Sequence, residues 1–163
     1  MARDWSTFTR RITVNSPSQT VYEAWVIPSR IESWFLRSAE YVDFESKSRN
    51  RDQEVGRGDT YLWRWHGHPD DVSEIGRVLE ANGKDTFAFT FTQDCVVSVT
   101  IFEEEGEIVV ELTQSQITDE PNRNIYIDCS YGWTFYLANL KSFLEGGIDL
   151  RNKNVEIKDV VNS

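Results

Sequence analysis

The chain has 163 residues, 39% hydrophobic and 13% aromatic, more apolar side chain than a disordered acidic polypeptide carries and enough to bury one core without disulfide or metal staples. Its formal charge of −10 repels phosphate backbones and anionic lipid, which excludes nucleic acid as a natural partner. No apolar run follows Met1 and no later stretch is long enough to span a bilayer, so a cytoplasmic protein without membrane insertion is expected.

Phe8, Arg10, Ile12 and Val14 alternate with Thr9, Arg11 and Thr13, the period-two pattern of a first strand. Ser16-Pro17-Ser18-Gln19 follows, in which Ser16 is placed to cap a helix, Pro17 suits its first position and Gln19 completes a capping box. Val21, Tyr22, Trp25 and Val26 give this helix an apolar side. Pro28 then interrupts it before a second short helical turn that ends in Trp34-Phe35.

From about residue 37 to about residue 116, alternating segments recur between turn-forming residues and predict a meander of strands. The strands fall near 39–46, 58–66, 73–81, 85–92, 95–103 and 107–116. Glu54-Val55-Gly56-Arg57-Gly58, Asn82-Gly83 and Glu105-Gly106 are the turn signals, and the charged stretch Ser46 to Glu54 reads as an exposed loop.

Asp119 to Asn124, with Pro121, breaks the pattern. Beyond it Asp128 is expected to cap one long helix whose apolar positions are Cys129, Trp133, Tyr136, Leu137, Leu140, Phe143 and Leu144. Ser130, Thr134, Asn139, Lys141, Ser142 and Glu145 form its polar side, and Gly146-Gly147 stops it. One domain over 1–147 with a loose tail over 148–163 is the expected organisation. Cys95 and Cys129 each sit in an apolar segment and read as buried, reduced thiols.

Four motifs in this order carry a family resemblance: Ser16-Pro17 opening the first helix, Trp34-Phe35 ending the second, Gly56-x-Gly58 entering a strand, and Gly132-Trp133 with Leu137, Leu140 and Leu144 in the last helix. With the stretch from Asn139 to Arg151, they make residues 8 to 151 resemble the START-like (SRPBCC) superfamily, in the branch of homologues of the activator of the heat-shock-protein-ninety ATPase. The resemblance implies an α+β helix-grip fold, with a curved antiparallel sheet of about six to seven strands wrapped around the long C-terminal helix. Two short helices follow the first strand, and an apolar cavity lies between sheet and last helix.

Tyr61, Trp63 and Trp65 share one strand face, Leu62, Arg64 and His66 the other, and Phe87, Phe89 and Phe91 share a face of theirs. If the cavity is open, its walls are Trp34, Trp63, Trp65, Phe87, Phe89 and Phe91 on one side and Trp133, Tyr136, Leu137 and Leu140 on the helix; otherwise these residues are packed core. Arg64 and His66 become polar handles if their face turns inward and are solvated if it turns outward. His66-Gly67-His68 has the alternation of a metal-binding strand but no third ligand, and Glu103-Glu104-Glu105 reads as a charged hairpin tip, so no metal is assigned. No phosphate loop, no Gly-x-Ser-x-Gly elbow and no Cys beside a His partner occur, so neither a catalytic residue nor a cofactor is assigned.

The resemblance implies non-enzymatic binding of a small hydrophobic ligand, in a monomer or a homodimer. Two alternatives belong to other classes. One is a co-chaperone-like module that binds a chaperone or another protein in a stress response. The other is an enzyme on a small aromatic or polyketide-like substrate, which requires a titratable group deep in the pocket.

Overall fold

A computed structural model describes residues 2–118 and 124–161, so the predicted break at residues 119–123 lies outside the described residues. The strands are β1 (Phe8–Thr13), β2 (Ser38–Val42), β3 (Thr60–Arg64), β4 (Ser73–Ala81), β5 (Thr86–Phe91), β6 (Cys95–Glu104) and β7 (Glu107–Ser115). They form one antiparallel sheet in the order β1-β7-β6-β5-β4-β3-β2. Helices α1 (Ser18–Val26) and α2 (Pro28–Ile31) follow β1, and α3 (Asn124–Leu144) follows the sheet. This is the α+β helix-grip arrangement that the element order implied. Among the described residues no helix is long and apolar enough to cross a membrane.

Two local features shape the sheet. Glu105 and Gly106, at φ 51° and 81°, supply the left-handed pair of a two-residue hairpin between β6 and β7. Strand β4 pairs with β3 through Ser73–Arg77 and with β5 through Val78–Ala81, and the register shifts between Val78 and Glu80. A bulge of this kind bends a strand and increases its twist, which curls the sheet. Gly76 makes room at the bend: a Cβ there would lie 2.5 Å from the Tyr61 hydroxyl, which crosses β4 to donate to the Thr90 carbonyl.

Tyr61, Trp63, Phe87, Phe89, Val97, Val99 and Leu112 are buried, as are Trp133, Tyr136, Leu137 and Leu140 of α3. Gly146, at φ 79°, ends the helix, and the Gly147 N–H reaches back to the Ser142 carbonyl at 2.7 Å.

Several local expectations are corrected. Helix α1 begins at Ser18 with Pro17 as its cap and no side-chain cap bond, so Ser16 sits one residue too early to close the capping box. Helix α3 is already formed at Asn124, which puts Asp128 in its second turn rather than at its cap. Phe143 is 39% exposed, whereas Asn139, expected on the polar side, is fully buried.

Asn139 is buried because it joins three segments. Its amide donates to the Trp34 carbonyl at 2.7 Å, and its side-chain oxygen accepts the Leu150 N–H at 2.8 Å. Arg151, one residue on, is also buried and donates to the carbonyls of Glu32, Ser33 and Leu36 and to the Asp149 carboxylate. These carbonyls follow the end of α2, where orphan acceptors and the helix dipole both favour a cation. The start of the tail is therefore latched to the helical corner, not loose. Burial works against the Asp149 carboxylate, but hydrogen bonds from Arg151 and Lys153 outweigh it and hold its pKa well below the usual range.

Replacing Arg151 with Met removes the guanidinium donor from the carbonyls of Glu32, Ser33 and Leu36 and from the Asp149 carboxylate, which keeps Lys153, and is expected to cost about 3 kcal/mol in urea unfolding. Since folding lowers the pKa of Asp149, the latch contributes fully above about pH 4, the ordinary carboxylate value, and weakens as pH falls through the lower folded value. Hydrogen exchange at the Leu150 amide measured down an acid series checks this.

Candidate functional site

An opening in the packing lies between sheet and last helix. There an open cleft of about 300 Å³ is lined from the sheet side by Phe35, Trp65, His68, Val72, Phe91 and Thr92. Asp128, Cys129, Gly132, Trp133 and Tyr136 of α3 line it from the other side. A larger hollow of about 630 Å³ lies between the chain at Thr13–Pro17 and the β6–β7 turn, but backbone and the charged groups of Glu107 and Lys141 edge it. The smaller cleft has the aromatic lining that suits an apolar molecule.

Each wall has a local origin. Phe35 is delivered by the turn after α2, and Trp65 lies just past the end of β3 on the same side as Tyr61 and Trp63. Phe91 ends β5, and Thr92 opens a turn in which Thr92, Gln93 and Asp94 take φ of 41°, 52° and 64°. Three successive non-glycine residues in that region are strained, and the Glu74 carboxylate holds the turn by accepting the Thr92 N–H. On the helix side Trp133 is fixed by its Nε1, which donates to the Gln114 side-chain oxygen at 3.0 Å. The Gln114 amide nitrogen lies near the Cys95 and Cys129 thiols without a well-formed hydrogen bond of its own.

Two titratable groups on the helix side of the cleft, Cys129 and Tyr136, are held neutral. Burial pushes the Cys129 thiol up to about 11 and the Tyr136 hydroxyl well above its usual value. Cys129 is thus a protonated, apolar wall and not a thiolate nucleophile at neutral pH. Tyr136 has a phenol whose ionisation is suppressed. Among the described residues no cluster of His, Cys, Asp and Glu is arranged to hold a metal ion.

The residues singled out in the sequence divide into three groups. Trp65, Phe91, Trp133 and Tyr136 line the cleft together. Trp34, Trp63, Phe87, Phe89, Leu137 and Leu140 are packed beneath or beside it, each at most 2% exposed. Trp63, for instance, lies 3.8 Å from Tyr61 between ring centroids and donates to the Tyr41 hydroxyl. Arg64 and His66 face away from the cleft lining: Arg64 donates to the Asp70 carbonyl and pairs with Glu40. His66 lies toward the tail, its pKa lowered by burial and then by the Arg151 and Lys153 charges.

Phe35, His68, Val72, Thr92, Asp128, Cys129 and Gly132 complete the lining without having been assigned to it. His68 reaches it because Gly67, at φ 84°, turns the chain beyond β3 and separates His68 from His66. A helical glycine with no turn to serve was the one signal in the sequence, at Gly132.

A family described as Activator of Hsp90 ATPase homolog 1-like protein matches residues 15–145. The protein SSP2350 from Staphylococcus saprophyticus has a similar structure, with 22% identity and a TM-score of 0.67, over 91% of this chain and 98% of that one. The Aha1 dimer from Colwellia psychrerythraea matches at 16% identity and a TM-score of 0.67, over 86% and 97% of the two chains. DynU16, a putative protein in the dynemicin biosynthetic locus, matches at 17% identity and a TM-score of 0.70, over 91% of this chain and 50% of that one. At such identities these structures share the fold. No curated protein matches.

The division into core and cleft predicts unequal costs of truncation. Leu140→Ala, in fully packed surroundings, should lose about 3–5 kcal/mol in urea unfolding, whereas Phe91→Ala, facing an existing opening, should lose about 1–2 kcal/mol.

Proposed function

The chain belongs to the family of Activator of Hsp90 ATPase homolog 1-like proteins, and from that premise we propose that the cleft between its sheet and α3 binds a small hydrophobic molecule. The observation that carries this reading is an apolar opening walled by five aromatic rings, those of Phe35, Trp65, Phe91, Trp133 and Tyr136. A ligand that buries roughly 300 Å² of apolar surface gains on the order of 7 kcal/mol before immobilisation costs, which corresponds to micromolar binding at best. His68, Thr92 and Asp128 at the margin offer polar groups that orient such a ligand.

A second reading is a protein partner, a chaperone being the kind the family name suggests, seated over the same place. Val72, Ile127 and Tyr131 favour it, because they are 42%, 51% and 60% exposed and stand in or beside the lining.

Native mass spectrometry of protein purified from cells, followed by thermal denaturation against a lipophile panel, separates the two. The ligand reading predicts a co-purifying small molecule or, at a hundredfold excess over Kd, stabilisation of about 2.7 kcal/mol. An empty protein whose stability ignores the whole panel sinks it. Loss of a co-purified protein on Tyr131→Glu, with small-molecule binding absent, supports the second reading.

A further inference from the structure

Gly132 stands inside α3, eight residues beyond its start at Asn124, where glycine weakens a helix relative to alanine. The other glycines have local reasons: each either takes φ between +74° and +90° or would place a Cβ at 3.0 Å or closer to a neighbouring atom. Gly132 does neither, since a Cβ built on it meets nothing within 4 Å. Neither backbone conformation nor packing of the protein against itself requires glycine here. The space that the missing side chain leaves is the cleft, which Gly132 lines between Cys129 and Trp133.

A helix without a Cβ presents its flattest possible surface. Across the cleft from this bare patch stand the rings of Trp65 and Phe91, 6.4 Å apart between centroids and inclined at 65°. We propose that Gly132 sets the width of the cleft and selects a ligand with a flat, rigid ring system, one face lying on the bare turn of α3 and the other toward Trp65 and Phe91. The inference rests on the reading of the cleft as a site for a hydrophobic molecule and adds the shape of that molecule and the residue that measures it. A flexible acyl chain bends around one added methyl group, whereas a rigid plane cannot, so the two ligand shapes respond differently to alanine at this position.

The test compares the 163-residue chain with its Gly132→Ala variant, using 1-N-phenylnaphthylamine as a planar fluorescent probe and 1-dodecanol as a flexible competitor. Alanine should raise the thermal midpoint by about 3 °C, because helix propensity improves and nothing clashes. It should weaken binding of the planar probe by about tenfold or more, the effect of one misplaced methyl group in an apolar pocket, and leave dodecanol displacement nearly unchanged. Unchanged probe affinity in Gly132→Ala overturns the inference while leaving the cleft reading intact. A variant that is less stable than the parent, or fails to fold, also overturns it, because glycine would then be needed by the fold. If the parent binds neither compound, the cleft reading fails and this inference falls with it.

Discussion

The Phe35 ring is the constraint on which the rest of the structure depends. It lies against Trp34, Trp63, Trp65, Trp133 and Tyr136 at centroid separations of 5.4, 5.6, 5.8, 5.0 and 4.9 Å. Those rings come from the helical corner, from β3 and its extension, and from α3, so one side chain fixes the mutual placement of all three. Edge and tilted ring contacts have preferred geometries, and each adds a fraction of a kcal/mol to about 1.5 kcal/mol beyond burial. Phe35 is itself held from behind. The Trp34 carbonyl accepts from Asn139, and the carbonyls of Ser33 and Leu36 accept from Arg151, so the latch at the end of α3 positions the same residue that floors the cleft.

Core and cleft are therefore one aromatic cluster seen at two depths. Where β3, β5 and α3 are all present, rings interlock, as around Trp63 and Phe89 at 5.0 Å. At the ends of β3 and β5, Trp65 and Phe91 are only partly buried, although Phe91 still meets Trp133 at 5.4 Å. Close packing is the default state of a protein interior, so an opening persists only if something prevents collapse. Here the strained turn from Thr92 to Asp94 holds one lip, and the Trp133 indole, tied to Gln114, holds the other. Gly132 leaves the helix wall bare between them.

Much of this was legible in the sequence, because strand alternation and helical periodicity report which face of an element is apolar. Phe87, Phe89 and Phe91 point to one side as their spacing required, and Glu105-Gly106 forms the turn it signals. Periodicity does not report depth. Phe91 shares a face with Phe89 yet stands at the margin, a difference set by where the strand ends in three dimensions. Asn139 and Arg151 escaped for a related reason: polar residues are read as solvated unless their partners are known, and these partners are backbone carbonyls more than a hundred residues earlier. His68 escaped because a single left-handed glycine cancels the alternation that would have paired it with His66. Family membership follows from the match over residues 15–145, and fold follows with it, whereas the proposal of a ligand rests on the lining of the cleft.

The proposed entry of an apolar molecule between Trp65, Phe91 and α3 is visible at the indoles themselves. The six Trp indole N–H groups are native reporters of position, observable by heteronuclear NMR in protein titrated with 1-N-phenylnaphthylamine. Binding in the cleft predicts that the Trp65 and Trp133 signals shift together and saturate, while Trp5, Trp25, Trp34 and Trp63 stay nearly in place. Indole signals that do not move, or a dominant shift at Trp5, would rule out binding in the cleft.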